Sequence, residues 1–244
     1  MMSEQEILNL LRNNKFFEAK ELIENLLKSE RENLTYKFYY GLILANDRKY
    51  KEAIPFFEEV LLADRNHYDS NFNIAGCYQG LLIFDKAIES YKNCSKIDVN
   101  KFEPYHQIGV CYRQLREYED SIIFLNKALE ISLNAKSLYV LGNVYRENGQ
   151  LEEARKSFTK SLSVNKEFTQ SKLSIANLEI DNGNYDQASK LLDEIIQSND
   201  SDQILISAQI MIGYILKSKG EFEKAIKINK DILAKDPKNI DASY

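Results

Sequence analysis

Apolar residues recur along the chain at three- and four-residue intervals in runs of about a dozen, and short polar stretches such as ENGQ at 147–150 and DNGN at 181–184 part the runs. That spacing puts the apolar positions on one face of a helix, so the pattern predicts helices joined in pairs by tight turns. A second pattern rides on the first: a large apolar residue followed three positions later by a small one. The large members are Phe16, Tyr50, Phe84, Tyr118, Leu151, Tyr185 and Phe222, and the small ones Ala19, Ala53, Ala87, Ser121, Ala154, Ala188 and Ala225. Successive large members stand 34, 34, 34, 33, 34 and 37 residues apart, so seven units fill the chain and the last connection, around SNDSDQ at 198–203, carries an insertion. Such a period marks a repeat architecture whose units bury their apolar faces against one another.

Nine positions before each large member come Ile7, Gly41, Ala75, Gly109, Gly142, Ala176 and Gly213, small in six of seven units. Three residues further on come Leu10, Leu44, Tyr78, Tyr112, Tyr145, Glu179 and Leu216. Two antiparallel helices approach closely where one offers a small side chain to a large one on the other. Gly142 is the expected small contact, Tyr145 and Phe158 supply bulk, and Ala154 lets the second helix pack. Gly149, Gly183 and Gly220 fall in the turns, where a residue able to take positive φ ends the first helix. A phosphate-binding loop would instead cluster glycines at one strand-to-helix turn with Lys and Ser or Thr.

These units resemble the tetratricopeptide repeat family, whose pattern runs LG-x-x-Y, then G-x-Y-x-x-A, a large residue, A-L and a closing P. The likeness is clearest in IGVCYRQLREYEDSIIFLNKAL at 108–129 and LGNVYRENGQLEEARKSFTKSL at 141–162, and it covers essentially the whole chain. Glu179 stands where the family has tyrosine, Asn229 where it has a large apolar residue, and its first-helix tryptophan is replaced by Asn71, Tyr105 and Leu138 among others. The resemblance implies an all-α, right-handed α-solenoid of about seven stacked helix-turn-helix hairpins forming one array over 1–244. The expected repeats are 1–33, 34–67, 68–101, 102–134, 135–168, 169–205 and 206–239, with 240–244 opening a further helix. It also implies a concave groove lined by the first helices.

Ser3 with Glu6 reads as a capping box for the first helix. At the other end Pro237 closes the seventh hairpin, and KNIDASY, with Ile240 placed 34 residues after Ile206, reads as the start of another first helix. The expectation is a repeat domain of a longer protein. The last hairpin, with Ile226, Ile232 and Leu233 lacking a neighbour, is expected to be capable of end-to-end self-association.

Composition narrows the picture. Only 9 Gly and 3 Pro accompany 28% charged and 44% hydrophobic residues, as befits helices. A net charge of -5 with no basic arm argues against gripping a phosphate backbone, and so against nucleic acid, including RNA read by helical repeats. The start, MMSEQEILNLL, lacks a secretion signal, and nowhere do 18 apolar residues run together. Cys77, Cys94 and Cys111 show no CxxC spacing and fit a reducing compartment as small core residues, so the expected location is cytoplasmic.

Carrying the family's groove positions over residue by residue gives Phe38, Tyr39 and Leu42, then Phe72, Asn73 and Gly76. His106, Gln107, Val110 and Arg113 follow, then Lys136, Tyr139, Asn143 and Arg146, then Leu173, Asn177 and Ile180. One end of that groove is aromatic and its middle polar and basic. Arg113 and Arg146 occupy equivalent positions of adjacent hairpins, about 8 to 10 Å apart by helix spacing. With Asn143 and Asn177 they suit a carboxylate or an extended peptide backbone; alternatively both arginines pair with neighbours such as Glu117 and Glu147. At least one of Phe38 and Phe72 is expected to be buried by the preceding hairpin rather than offered to a ligand. The family's clamp for acidic chaperone tails does not transfer: Asn73 fits its middle position, but the flanking positions hold Phe38, Leu42, Glu103 and Gln107. An asparagine ladder also fails, since Asn73 is followed by Gln107, Val140 and Ser174.

Catalytic residues are not expected. His67 sits between hairpins and His106 on the groove, neither with a second ligand at metal spacing, and neither a metal nor a cofactor is implied. The leading expectation is a non-catalytic scaffold whose groove binds a peptide or protein segment. The alternative is a substrate-presenting or regulatory array of a larger enzyme such as a glycosyltransferase or sulfotransferase.

Overall fold

The computed structural model describes residues 2–198 and 200–236. It divides into two compact units, residues 1–132 and 133–244. Among the described residues there are fourteen α-helices and no strand. The first unit holds four hairpins: α1 (Met2–Arg12) with α2 (Phe16–Ser29), α3 (Leu34–Asn46) with α4 (Tyr50–Ala63), α5 (Tyr68–Gly80) with α6 (Phe84–Ile97), and α7 (Phe102–Gln114) with α8 (Tyr118–Ile131). The second holds three: α9 (Ala135–Glu147) with α10 (Leu151–Val164), α11 (Thr169–Asp181) with α12 (Tyr185–Ile196), and α13 (Asp202–Ser218) with α14 (Phe222–Lys235).

Every second helix starts at the large apolar residue of the sequence signature, because the turn before it is the same seven times. The residue two positions earlier is left-handed in each hairpin: Asn14, Arg48, Leu82, Arg116, Gly149, Gly183 and Gly220, with φ between 57° and 79°. The next residue then turns its N–H back onto the first helix. Lys15 donates to the Leu10 carbonyl at 2.9 Å, Ile83 to Tyr78 at 2.8 Å, Gln150 to Tyr145 at 2.8 Å and Glu221 to Leu216 at 2.8 Å. This six-to-one bond satisfies a carbonyl the helix end would otherwise leave unpaired.

The turns between hairpins use polar side chains instead. Asn33 caps α3 by accepting from the N–H groups of Thr35 and Tyr36, His67 Nδ1 accepts from Ser70 N–H at 3.1 Å, and Asn134 accepts from Ser137 N–H at 2.8 Å. Asp64, Asp98 and Asn165 each take the N–H two residues on at 2.9 to 3.0 Å, a repeated Asx turn.

Packing follows the small-to-large rule with a fixed offset of sixteen residues. A Cβ on Gly41 would lie 3.0 Å from the Phe57 ring, on Gly109 2.6 Å from Leu125, and on Gly142 2.5 Å from Phe158. Where the family has tryptophan, Asn71 and Leu138 are buried and two lysines reach glutamates twenty-two residues on. Lys37 bonds Glu59 at 2.5 Å and Glu32 at 2.9 Å, and Lys172 lies 3.7 Å from Glu194. Glu179, in the tyrosine position, is buried in an ion pair with Arg155 and accepts from Asn184 Nδ2 at 2.8 Å.

Two expectations need correction. Ile232, expected to lack a neighbour, is 0% exposed, because it faces inward from α14; the exposed residue is Ile226. The insertion near 198–203 also lengthens α13, which begins at Asp202 and runs 17 residues, four before the expected repeat boundary. The Ser3 side chain, Pro237 and Ile240 lie outside the described residues, and with them the capping box and the further helix.

Candidate functional site

A cavity of about 410 Å³ opens in the first unit between the second and third hairpins. Leu42, Ala45 and Asn46 of α3 form one side, Asn73, Gly76 and Cys77 of α5 the other, and Phe16 and Tyr50, the first residues of α2 and α4, close the ends. The volume falls in the range of small-ligand pockets, roughly 300 to 1,000 Å³. Two glycines one turn apart on α5 shape it. At Gly80 a Cβ would meet the Tyr50 ring at 2.5 Å, so the ring lies against the helix backbone. At Gly76 a Cβ would have nothing nearer than the Tyr91 hydroxyl at 3.8 Å, so the floor is open where the same register holds Leu42 and Val110 in the neighbouring hairpins.

Polar groups on α3 and α5, and on the neighbouring α6 and α7, are already oriented. Asn73 Nδ2 donates to the Asp69 carbonyl at 2.7 Å, which fixes the side chain and leaves Oδ1 as an acceptor. Tyr91 donates its hydroxyl to Gln79 Oε1 at 3.0 Å, and Gln79 Nε2 lies 3.5 Å from Gln107 Oε1. Tyr39 reaches Glu4 Oε1 at 3.4 Å; burial first, then that carboxylate, raises its phenol. An apolar slot beside oriented amides is suited to holding an apolar side chain and pairing with the adjoining peptide backbone.

Of the expected groove residues, Leu42, Asn73 and Gly76 line this cavity together. Phe38 and Phe72 are half-buried and turn their rings inward: Phe38 lies 5.2 Å from His67 and 5.9 Å from Phe57, and Phe72 lies 5.2 Å from Tyr91. The aromatic end is thus partly core. His106 is 5% exposed, so it packs within its unit, and Arg113 is half-buried and not without a partner. In the second unit Tyr139 packs between Phe158 and Phe168 at 6.0 and 5.6 Å, Asn143 is 3% exposed, and Arg146 and Asn177 are half-buried. The walls at Phe16, Ala45, Asn46 and Tyr50 were not anticipated. The one signal for them in the sequence is Gly76, a gap in an otherwise filled register.

A second cavity, about 470 Å³, lies at the other ends of these helices between Arg65, Asn66, Asn93, Lys96 and Ile97. Lys96 sits in the last turn of α6, where a cation complements the helix dipole. Among the described residues no group of three or more His, Cys, Asp or Glu could hold a metal ion, and no helix is long and apolar enough to cross a membrane.

Sequence profiles described as tetratricopeptide repeat match residues 5–69, 100–167, 145–210 and 206–235. The intervening third hairpin follows the same geometry. No curated protein matches the chain. Among solved structures, a tetratricopeptide repeat protein from Parabacteroides merdae is 17% identical, with 100% of this chain and 97% of that one covered and a TM-score of 0.76. The C-terminal part of a repeat protein from Cytophaga hutchinsonii is 21% identical over 98% and 97% with a TM-score of 0.72, and PilF of Pseudomonas aeruginosa is 17% identical over 88% and 97% with a TM-score of 0.70. These likenesses speak to the fold, and together with the profile matches and the seven hairpins they establish that the chain belongs to the tetratricopeptide repeat family.

Proposed function

We propose that the chain is a non-catalytic scaffold that binds an extended segment of another protein, and that the slot between α3 and α5 receives one of its apolar side chains. The observation that carries this reading is the apolar slot left open at Gly76, with the side-chain Oδ1 of Asn73 available as an acceptor on its rim. Extended segments gain affinity through backbone bonds and specificity through such side-chain pockets. The repeat fold supports a role as a protein-interaction scaffold. The acidic balance favours protein over nucleic acid as partner, and three buried thiols suit a reducing compartment such as the cytoplasm.

Gly76→Leu tests the slot without endangering the fold. The Cβ has room, leucine propagates a helix better than glycine, and Leu42 already occupies this register one hairpin earlier. Peptides selected from a random library on the parent chain should bind the variant at least about tenfold more weakly. Equal binding to both would move the site elsewhere.

A further inference from the structure

The first and seventh hairpins differ in the chemistry of the residues they leave exposed at equivalent positions of the repeat. On the side of α13 that packs against α11 and α12, Ile212 and Ile215 meet the cluster of Ala188 and Leu192. In α7 the same register holds Ile108 and Cys111, both buried against α6. In α1 it holds Glu6 and Asn9, both exposed, so the first hairpin ends on a polar surface.

The seventh hairpin instead exposes apolar residues. Tyr214, Phe222 and Ile226 are 54%, 59% and 53% exposed around a cavity of about 390 Å³ between α13 and α14. In the sixth hairpin the same register reads Asn177, Tyr185 and Ser189, so the seventh is the more apolar of the two although it lies outermost in the sequence of described hairpins. The cavity exists because Asn229 stands opposite Gly213, where the preceding hairpins place Leu192 and Phe158.

We infer that this face is a self-complementary interface through which two copies of the chain pair seventh hairpin to seventh hairpin. Among the described side chains of α1, Glu6 and Asn9 on that face are polar and exposed, which favours pairing the seventh hairpin with its counterpart in another copy over joining it to the first. Charge supports a two-fold arrangement. Glu223 and Lys230 lie seven residues apart on one edge of α14, both exposed and neither in an ion pair among the described residues. An antiparallel pairing of two α14 helices about an axis near Ile226 sets each Glu223 opposite the other copy's Lys230 and brings the two Ile226 side chains together. A patch this small makes a weak, concentration-dependent dimer rather than a permanent one.

Sedimentation equilibrium of the full chain tests this. The parent should show reversible dimerisation; Ile226→Lys, at an exposed position that leaves the fold intact by circular dichroism, should weaken it by about tenfold or more. Glu223→Lys alone should weaken it as well, and adding Lys230→Glu should restore it. A parent that stays monomeric at every concentration overturns the interface. So does a dimer indifferent to Ile226→Lys, and failure of the double reversal to restore pairing overturns the two-fold geometry.

Discussion

The ring of Phe158 occupies the space a side chain on Gly142 would need: a Cβ there would fall 2.5 Å from Cε1 and 2.6 Å from Cδ1. Phe158 is fully buried, so the ring has no open side toward which to retreat. Gly142→Ala is expected to destabilise the second unit by about 1 to 3 kcal/mol from overpacking, even against the roughly 1 kcal/mol that alanine gains in a helix. Urea unfolding checks this. Phe158→Leu in the same background should recover part of the loss, a coupling that a double-mutant cycle measures; a Gly142→Ala chain as stable as the parent contradicts the packing.

The turns predict a change of opposite sign. Leu82 holds φ at 61° and leaves its side chain 73% exposed, so it carries left-handed strain with little packing in return. Leu82→Gly should stabilise the first unit by about 1 kcal/mol, while Gly149→Ala should cost the second unit a similar amount. Denaturant midpoints moving the other way would show that the turn is not held as described.

How much of this was legible in the sequence depends on which residues do the holding. The helix pairing was, because the small position and the large one sixteen residues later both leave a periodic trace, as at Gly142 and Phe158. The left-handed turn was legible only at Gly149, Gly183 and Gly220. At Arg48, Leu82 and Arg116 the conformation is held by the bond back to the first helix and no residue preference announces it, whereas at Asn14 an asparagine, which enters that region readily, is a weaker sign than glycine. At the candidate site, Leu42, Asn73 and Gly76 came from the repeat register, but Phe16 and Tyr50 wall the slot through packing between hairpins, which no local spacing encodes. Glu179 read as a weakened contact because its partner Arg155 lies twenty-four residues earlier, outside any helical interval.

That pair gives a pH dependence. Burial alone would raise the Glu179 carboxyl; the bonds from Asn184 and Arg155 outweigh it and hold the group below the ordinary glutamate range. Its folded value is depressed, so its contribution to stability is complete above the unfolded value, near about 4.3, and is lost as pH falls through the folded one. Arg155→Ala should cost about 3 kcal/mol or more at neutral pH by stranding a buried carboxylate. Glu179→Gln should flatten the acid limb of the stability curve; an unchanged acid limb would mean the carboxylate does not titrate with folding.

The cysteines predict silence. Cys77, Cys94 and Cys111 are buried and free, and burial pushes their thiols up to about 11, 12 and 12. Little thiolate forms at neutral pH, so a thiol-specific reagent should leave the folded chain unmodified and label all three only as the first unit opens. Rapid labelling under native conditions would contradict the packing around Tyr91.

The central claim, that the slot between α3 and α5 takes an apolar side chain of an extended segment, is tested most directly by nuclear magnetic resonance. Backbone amide signals of the isotopically labelled chain would be followed during titration with a peptide selected on it. The expected result is a contiguous set of shifts at Leu42, Ala45, Asn46, Asn73 and Gly76, lost when Gly76→Leu fills the slot. Shifts confined to the second unit or to α2, α4 and α6, or shifts that survive Gly76→Leu, would contradict the assignment.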